Sequence, residues 1–369
     1  MGGRRVAVYT PNDVRLEPTV SERTIVKILV TGGAGFIGSA FVRLVLERYP
    51  DDTVTTLDAL TYAGNPANLF ELEQNPRHSF VHGDIADVSL VDGLVAGHDA
   101  VVNFAAETHV DRSLLDPSAF LRSNVEGVYV LLDAMRRQGG RLVQVSTDEV
   151  YGDIPEGKFS LESDPLAPRS PYAAAKAGGE LFCRSFSVSY GTDVVVTRGC
   201  NTIGPRQYPE KLVPLFITNA LEDRPLPVYG DGLQVRDWLH AEDHAAGIDL
   251  ALRRGRSGEI YNIGAGNERP NIDVVRQLLA HLGKSESLIA YVPDRPGHDR
   301  RYALDSNKIR THLGWAPQRD FESTLGDTID WYLSHPEWWR AIRNASGEFA
   351  EYYERQYGWR LAAAGRDEG

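Results

Sequence analysis

Ile25 to Val30 is a short apolar, β-branched run, and it ends in Thr31-Gly32-Gly33-Ala34-Gly35-Phe36-Ile37-Gly38. This junction limits the possible folds more than any other stretch of the chain. Beyond it, Ala40, Phe41, Leu44 and Val45 recur at helical spacing. Thr53 to Leu57 reads as a second strand ending at Asp58, and Ser79 to Val81 as a third. Ala100 to Phe104, Leu142 to Val145 and Val194 to Val196 read as a fourth, fifth and sixth, and Val125 to Arg137 reads as a helix. Strands that alternate with helices predict right-handed βαβ units and an α/β fold with a doubly wound parallel sheet. With 369 residues, core size is not limiting.

Past Asn201 the rhythm loosens. Pro205, Pro209, Pro214, Pro225 and Pro227 punctuate shorter elements, with helices expected over Pro214 to Leu221, Ala241 to Arg253, Ile272 to Leu282 and Leu325 to Leu333. The expected organisation is an extension of poor order over 1–24, a dinucleotide-binding Rossmann-like domain over 25–200, a smaller mixed α/β C-terminal lobe over 201–360 that partly interleaves with it, and a frayed tail over 361–369.

Gly32, Gly35 and Gly38 give GxxGxxG after a strand and at the start of a helix. The first permits a tight turn, the second lets a pyrophosphate approach the backbone, and the third lets helix and strand pack closely. The pyrophosphate would face the positive helix N-terminus. Asp58, twenty residues past Gly38, can accept hydrogen bonds from the adenosine ribose and would repel a 2′-phosphate, which predicts NAD over NADP. Asp84 and Ile85 follow the third strand towards the adenine. Ala105 and Ala106 follow the fourth, where small side chains let the cofactor run close to the backbone.

Ser170-Pro171-Tyr172 fits a helix start, with Ser at the N-cap and Pro at the first helical position. Tyr172 and Lys176 then share one helix face, and a Lys cation there can lower the phenol pKa so that Tyr172 acts as a base. Thr147-Asp148-Glu149 ends the fifth strand. Two neighbouring carboxyls can divide into acid and base, because like-charge repulsion raises the pKa of one. Adjacent side chains on a regular strand face opposite ways, so both acids reach one ligand only if the strand has ended by Thr147.

With Ser146-Thr147 ahead of Tyr172 and Lys176, the chain resembles the extended short-chain dehydrogenase/reductases. Ser146-Thr147-Asp148-Glu149-Val150-Tyr151-Gly152 resembles the catalytic loop of the dTDP-glucose 4,6-dehydratase family. So do Leu60-Thr61-Tyr62-Ala63-Gly64-Asn65, Ala105 to Ser113, Arg236-Asp237-Trp238-Leu239-His240 and Arg295 to Tyr302. The similarity runs from about Val26 to about Trp331. It implies a lyase that oxidises C4 of a dTDP-hexose, eliminates water across C5 and C6 and returns the hydride to C6. In that scheme Tyr172 is the base for the C4 hydroxyl, Lys176 tunes it and holds the nicotinamide ribose, and Thr147 polarises the reacting oxygen. Glu149 takes the C5 proton and protonated Asp148 donates to the leaving hydroxyl. Phe36, Ile37, Leu60 and Thr61 join the glycines and Asp58 as cofactor residues.

A nucleoside diphosphate needs a local basic clamp in an acidic protein. Arg206, Lys211, Arg236, Arg295, Arg300 and Arg301 are the candidates, with Arg236 and Arg295 preferred because Arg suits bidentate phosphate contact. Glu107, Thr108, Asn201, Leu212, Asn271, His298 and Tyr302 complete the expected substrate set. The chain departs from the family pattern at Ile203, where Tyr is usual, and at Gln207-Tyr208, where His-Phe is common. The resemblance also implies a homodimer formed by the helices at Val125 to Arg137 and Tyr172 to Phe186.

Lys+Arg 39 against Asp+Glu 51 gives a net charge of −12, which argues against nucleic acid or anionic membrane as partner. Cys183 and Cys200 form no CxxC, and ten His lack ligand spacing, so no metal is expected. Two isolated thiols and the lack of an apolar signal segment suit a cytoplasmic protein.

Overall fold

The computed structural model describes residues 26–344 and 347–364. The expected extension over 1–24 lies outside the described residues. The first six strands are β1 (Lys27–Thr31), β2 (Thr53–Asp58), β3 (His78–His82), β4 (Ala100–Asn103), β5 (Arg141–Thr147) and β6 (Asp193–Gly199). The next six are β7 (Asn201–Ile203), β8 (Leu226–Tyr229), β9 (Val235–His240), β10 (Ile260–Ile263), β11 (Glu268–Pro270) and β12 (Ile289–Val292). Seven of these form one parallel sheet in the order β10-β6-β5-β4-β1-β2-β3. The order reverses between β1 and β4, which opens a crevice at their C-terminal ends.

The pleat explains why Ile28 to Val30 of β1 are all apolar. Ile28 and Val30 face a core with Phe41, Val45, Ile248 and Leu252, while Leu29 faces the opposite core with Leu131, Met135 and Phe186. The helices Phe36–Arg48 and Ala241–Arg254 therefore cover one face, and Val88–Val95, Gly127–Gln138 and Pro171–Tyr190 cover the other. A separate core in the C-terminal half gathers Phe216, Val228, Val275, Leu278, Ile329 and Trp339.

β10 was not legible in the sequence. It has four residues, contains Asn262, and comes from beyond residue 200 to close the sheet edge beside β6. Of the expected tail over 361–369, residues 365–369 lie outside the described residues. Leu361 to Ala364 belong to the helix Trp359–Ala364, where Arg360 is buried and its Nη1 donates to the Gln356 carbonyl at 2.6 Å.

The helix Pro171–Tyr190 has the expected start. Ser170 Oγ accepts the Ala173 N–H at 3.1 Å, and Pro171 needs no partner for its nitrogen. The same helix is tied to β6 by a buried ion pair. Arg198 donates Nε and Nη2 to Glu180 Oε2 at 2.9 and 2.6 Å, and its Nη1 donates to the Tyr151 hydroxyl at 2.6 Å. Both side chains are buried. Glu180→Leu leaves this guanidinium without its counter-charge and is expected to cost about 3–5 kcal/mol of stability. Urea unfolding checks this, and a loss below about 1 kcal/mol would show that β6 and the helix are not held by the pair.

Candidate functional site

A cavity of about 450 Å³ lies in the crevice at the C-terminal ends of the central strands. A second, of about 160 Å³, lies in the C-terminal half. Glu149, Asn201 and Lys211 line both.

Gly32, Gly35, Phe36, Ile37 and Gly38 line the first cavity. Gly32 has φ +69°, and a β-carbon there would sit 2.5 Å from the Ala105 nitrogen. One on Gly38 would sit 2.3 Å from the Gly32 carbonyl oxygen. Neither position has room for a side chain, which leaves bare backbone at the start of the helix Phe36–Arg48. Asp58 is buried at the end of β2, where its Oδ2 accepts the Ala34 N–H at 2.9 Å and its Oδ1 the Leu60 N–H at 2.8 Å. Burial raises its pKa, and the two backbone donors oppose that rise. Thr61, Asp84, Ile85, Ala105 and Ala106 also line the cavity. Leu60 does not. Its backbone adopts φ +50° and serves to hold Asp58. This wall fits a dinucleotide: a cradle without β-carbons at a helix start, and a fixed carboxylate on the second strand. Arg122, which sequence reasoning missed, lines the cavity and pairs with Asp84 at 2.9 Å.

β5 ends at Thr147 and the chain turns at once into a short 3₁₀ segment, Asp148–Tyr151. Thr147 drives the turn by accepting the Glu149 N–H on its Oγ1 at 3.3 Å. The requirement set by strand geometry is therefore met, and both acids line the first cavity beside Thr147, Tyr172 and Lys176. β5 and β6 run in register, with Thr147 opposite Gly199, so Asn201 arrives at the same level.

The two acids have different surroundings. Burial pushes the Asp148 carboxyl well up, Glu149 adds to the rise, and Arg236 offsets only part of it. Its Oδ1 accepts the Thr147 hydroxyl at 3.2 Å, while Oδ2 has no partner. Burial also raises Glu149, but Arg295, Arg236 and Lys211 all favour its anion. Asp148 is thus the group that keeps a proton, and Glu149 the one that gives it up more readily.

Tyr172 departs from expectation. Burial raises its pKa, Glu149 and Asp148 raise it further, and the hydrogen bond with Thr147 opposes the rise. Lys176 does not lower it, because the ammonium is directed at the Val145 carbonyl, to which Nζ donates at 2.7 Å. A buried ammonium needs such an acceptor. Burial lowers Lys176 itself to about 8, against an opposing pull from Glu180.

On the second cavity, Lys211, Arg236 and Arg295 converge on Glu149. Lys211 Nζ donates to the Thr108 carbonyl at 2.8 Å, and Arg295 Nη1 pairs with Asp111 at 3.1 Å. Arg236 stacks over the Tyr302 ring at 4.1 Å and donates Nη2 to the Asp299 carbonyl at 2.9 Å. Tyr302 stands behind Arg236 and does not line either cavity. Leu212, Asn271 and His298 line the second cavity, Glu107 the first, and Thr108 both. Arg206, Arg300 and Arg301 lie elsewhere, paired with Glu71, Asp231 and Glu268 at 2.9, 2.7 and 2.6 Å. Sequence reasoning also missed Glu210, a buried residue that lines both cavities and accepts Arg112 Nε at 2.8 Å. Its neighbour Lys211 was the only signal. Ile203 lines the second cavity and Tyr208 the first, where Tyr208 meets Tyr62 edge-on with centroids 5.5 Å apart.

Residues 29–328 match the model of the GDP-mannose 4,6-dehydratase family. A dTDP-glucose 4,6-dehydratase of Streptomyces niveus is 51% identical over 323 residues, covering 86% of this chain and 96% of the relative. The crystal structure of DesIV, a dTDP-glucose 4,6-dehydratase from Streptomyces venezuelae with NAD bound, superposes with a TM-score of 0.84 at 52% identity, over 86% of this chain and 99% of that one. UDP-glucuronic acid 4-epimerase from Bacillus cereus, in complex with UDP-glucuronic acid and NAD, gives 0.79 at 29% identity, over 84% and 99%.

The environment of Asp148 has a consequence for stability. A carboxyl whose folded pKa is raised stabilises the fold below its unfolded pKa and loses that contribution as pH rises through the folded value. Asp148→Asn removes the cost of the buried charge, so the variant's thermal midpoint is expected to exceed that of the wild type, by a margin that grows from pH 5 to pH 8. Melting curves across this range check it, and a margin that stays flat with pH would mean that Asp148 is ionised in the fold.

Proposed function

We propose a function from one premise: the chain belongs to the GDP-mannose 4,6-dehydratase family. It is a nucleotide-sugar 4,6-dehydratase that converts dTDP-glucose to dTDP-4-keto-6-deoxyglucose for deoxysugar biosynthesis, a net elimination of water that makes it a hydro-lyase. One observation carries this reading. Asp148, buried, and Glu149, half-buried, line one cavity beside Tyr172, and their surroundings favour the proton on Asp148 and the anion on Glu149. A 4-epimerase needs no such pair.

NAD, when bound, supplies the hydride acceptor for C4 and the hydride donor for C6. The rest is work for this chain's side chains. Tyr172 would remove the proton of the C4 hydroxyl once ionised, a state that the positive charge of an oxidised nicotinamide would favour, and the Thr147 hydroxyl, turned from Asp148 to the ligand, would polarise the C4 oxygen. The new ketone makes the C5 proton acidic, and Glu149 removes it. Asp148 donates its proton to the C6 hydroxyl, which leaves as water, and Glu149 hands its proton back to C5 as C6 receives the hydride. Each proton transfer of this kind typically contributes about 10²–10⁴-fold in rate. Lys176 faces the β5 carbonyl and serves the nicotinamide ribose more than the phenol. We assign NAD binding mainly to residues 25–200 and sugar-nucleotide binding mainly to 201–360. The diphosphate meets Arg236 and Arg295, with Lys211 beside them. Glu107, Thr108 and Asn201 meet the sugar, and Leu212, Asn271 and His298 face the nucleoside.

We place the enzyme in the cytoplasm, in keeping with two buried free thiols, Cys183 and Cys200. Among the described residues no helix is long and apolar enough to cross a membrane. We also propose a homodimer. The helices Gly127–Gln138 and Pro171–Tyr190 expose Tyr129, Leu181, Phe182, Val188 and Tyr190 on one side of the sheet, an apolar area that a second copy would cover.

Three outcomes are expected. Wild-type enzyme converts dTDP-glucose to a product lighter by one water, whereas unchanged mass would indicate epimerisation. Asp148→Asn retains C4 oxidation, seen as reduced-nicotinamide absorbance in a single turnover, but loses water about 10²-fold more slowly or worse. Normal dehydration in that variant removes Asp148 from its role. Sedimentation gives a dimer, and a strict monomer would refute the helix-pair interface.

A further inference from the structure

Residues 329–364 follow the segment matched to the family, yet they reach the second cavity. Tyr357 lines it and stacks on Tyr229, with ring centroids 6.0 Å apart. Beside it, Gln356 Nε2 donates to the Tyr229 hydroxyl at 2.6 Å. The Tyr229 hydroxyl donates its one proton to Asp111 Oδ2 at 2.9 Å. Asp111 Oδ1 accepts Arg295 Nη1 at 3.1 Å. The direction of this chain is fixed at both ends, because an amide nitrogen can only donate and a carboxylate can only accept.

Asp111 is 2% exposed. Burial alone would raise its pKa, but His109, Arg295 and Tyr229 outweigh burial and hold it at about 2. These contacts favour its anion. Arg295 lines the second cavity with its Nε unpaired. A free Arg side chain spreads over many rotamers, and fixing it in advance removes that loss from the cost of binding.

We infer that Gln356, Tyr229 and Asp111 are positioning residues that aim Arg295 at the substrate diphosphate, so that the C-terminal segment sets phosphate affinity. This rests on the proposed function, in which the second cavity takes a nucleoside diphosphate. Gln356 itself does not line the cavity. Its effect on a ligand must therefore pass through Tyr229 and Asp111, and it should be felt by the phosphates and not by the nucleoside.

The test uses full-length Gln356→Met, which keeps the shape and removes the donor, and Asp111→Asn, which removes the anion. For Gln356→Met, the KM for dTDP-glucose and the Kd for dTDP are expected to rise about three- to tenfold, the size of one lost hydrogen bond. Asp111→Asn should show a larger rise of the same kind. The NAD content of Gln356→Met and its affinity for thymidine should stay within twofold. In an Arg295→Ala background neither substitution should weaken dTDP binding further. Unchanged dTDP affinity, equal losses for thymidine and dTDP, or losses that add to that of Arg295→Ala would each overturn the inference. If the wild type neither binds dTDP nor turns over dTDP-glucose, the proposed function fails and the positioning role falls with it. Failure of the positioning role alone shows only in the variants.

Discussion

Two carboxyl groups on consecutive residues in one poorly hydrated wall oppose each other's charge, and the rest of the site is arranged around that constraint. β5 stops at Thr147, so Asp148 and Glu149 turn into the same cavity when a continuing strand would have parted them. Burial then works against both charges. Three cations relieve it, and all three act on Glu149. The division between acid and base is therefore a matter of where Arg236, Arg295 and Lys211 are placed, since the two acids are nearly the same chemical group.

That placement links the two halves of the molecule. Asp148 and Glu149 follow β5 of the seven-stranded sheet, and Tyr172 sits on the helix Pro171–Tyr190 beside it. Arg236 comes from β9, and Arg295 follows β12. The cations that set the acid–base split also face the second cavity, where a diphosphate would sit. In the proposed reaction, binding of the nucleotide and tuning of Glu149 would use the same side chains, so a substrate with its phosphates in place would change the charge around Glu149.

The alternation of strands and helices up to residue 200 was legible because the central strands β1, β4, β5 and β6 are buried on both faces and carry apolar runs. β10 was not, because a four-residue edge strand containing Asn262 has no such run. The glycine cradle, Asp58 and the Thr-Asp-Glu triplet were legible because their chemistry depends on neighbours in sequence. What Lys176 does was not. Its i, i+4 spacing from Tyr172 gives a shared helix face, but the ammonium goes to whichever acceptor is nearest, and that is the Val145 carbonyl. The clamp was read in part for a similar reason. Arg206, Arg300 and Arg301 carry the same charge as Arg295, and only the fold shows that they are neutralised by Glu71, Asp231 and Glu268. Tyr229, Gln356 and the helices after residue 328 gave no local signal, because their role depends on partners more than a hundred residues away.

If one cavity houses oxidation, elimination and reduction without releasing its hydride, the hydrogen that leaves C4 must reappear two carbons along in the same sugar. Incubation with dTDP-glucose deuterated at C4, followed by mass spectrometry and NMR of the product, measures this directly. Deuterium at C6 of a product that has lost one water is the expected result. A dehydrated product without deuterium at C6, or a product of unchanged mass with the label still at C4, would contradict it.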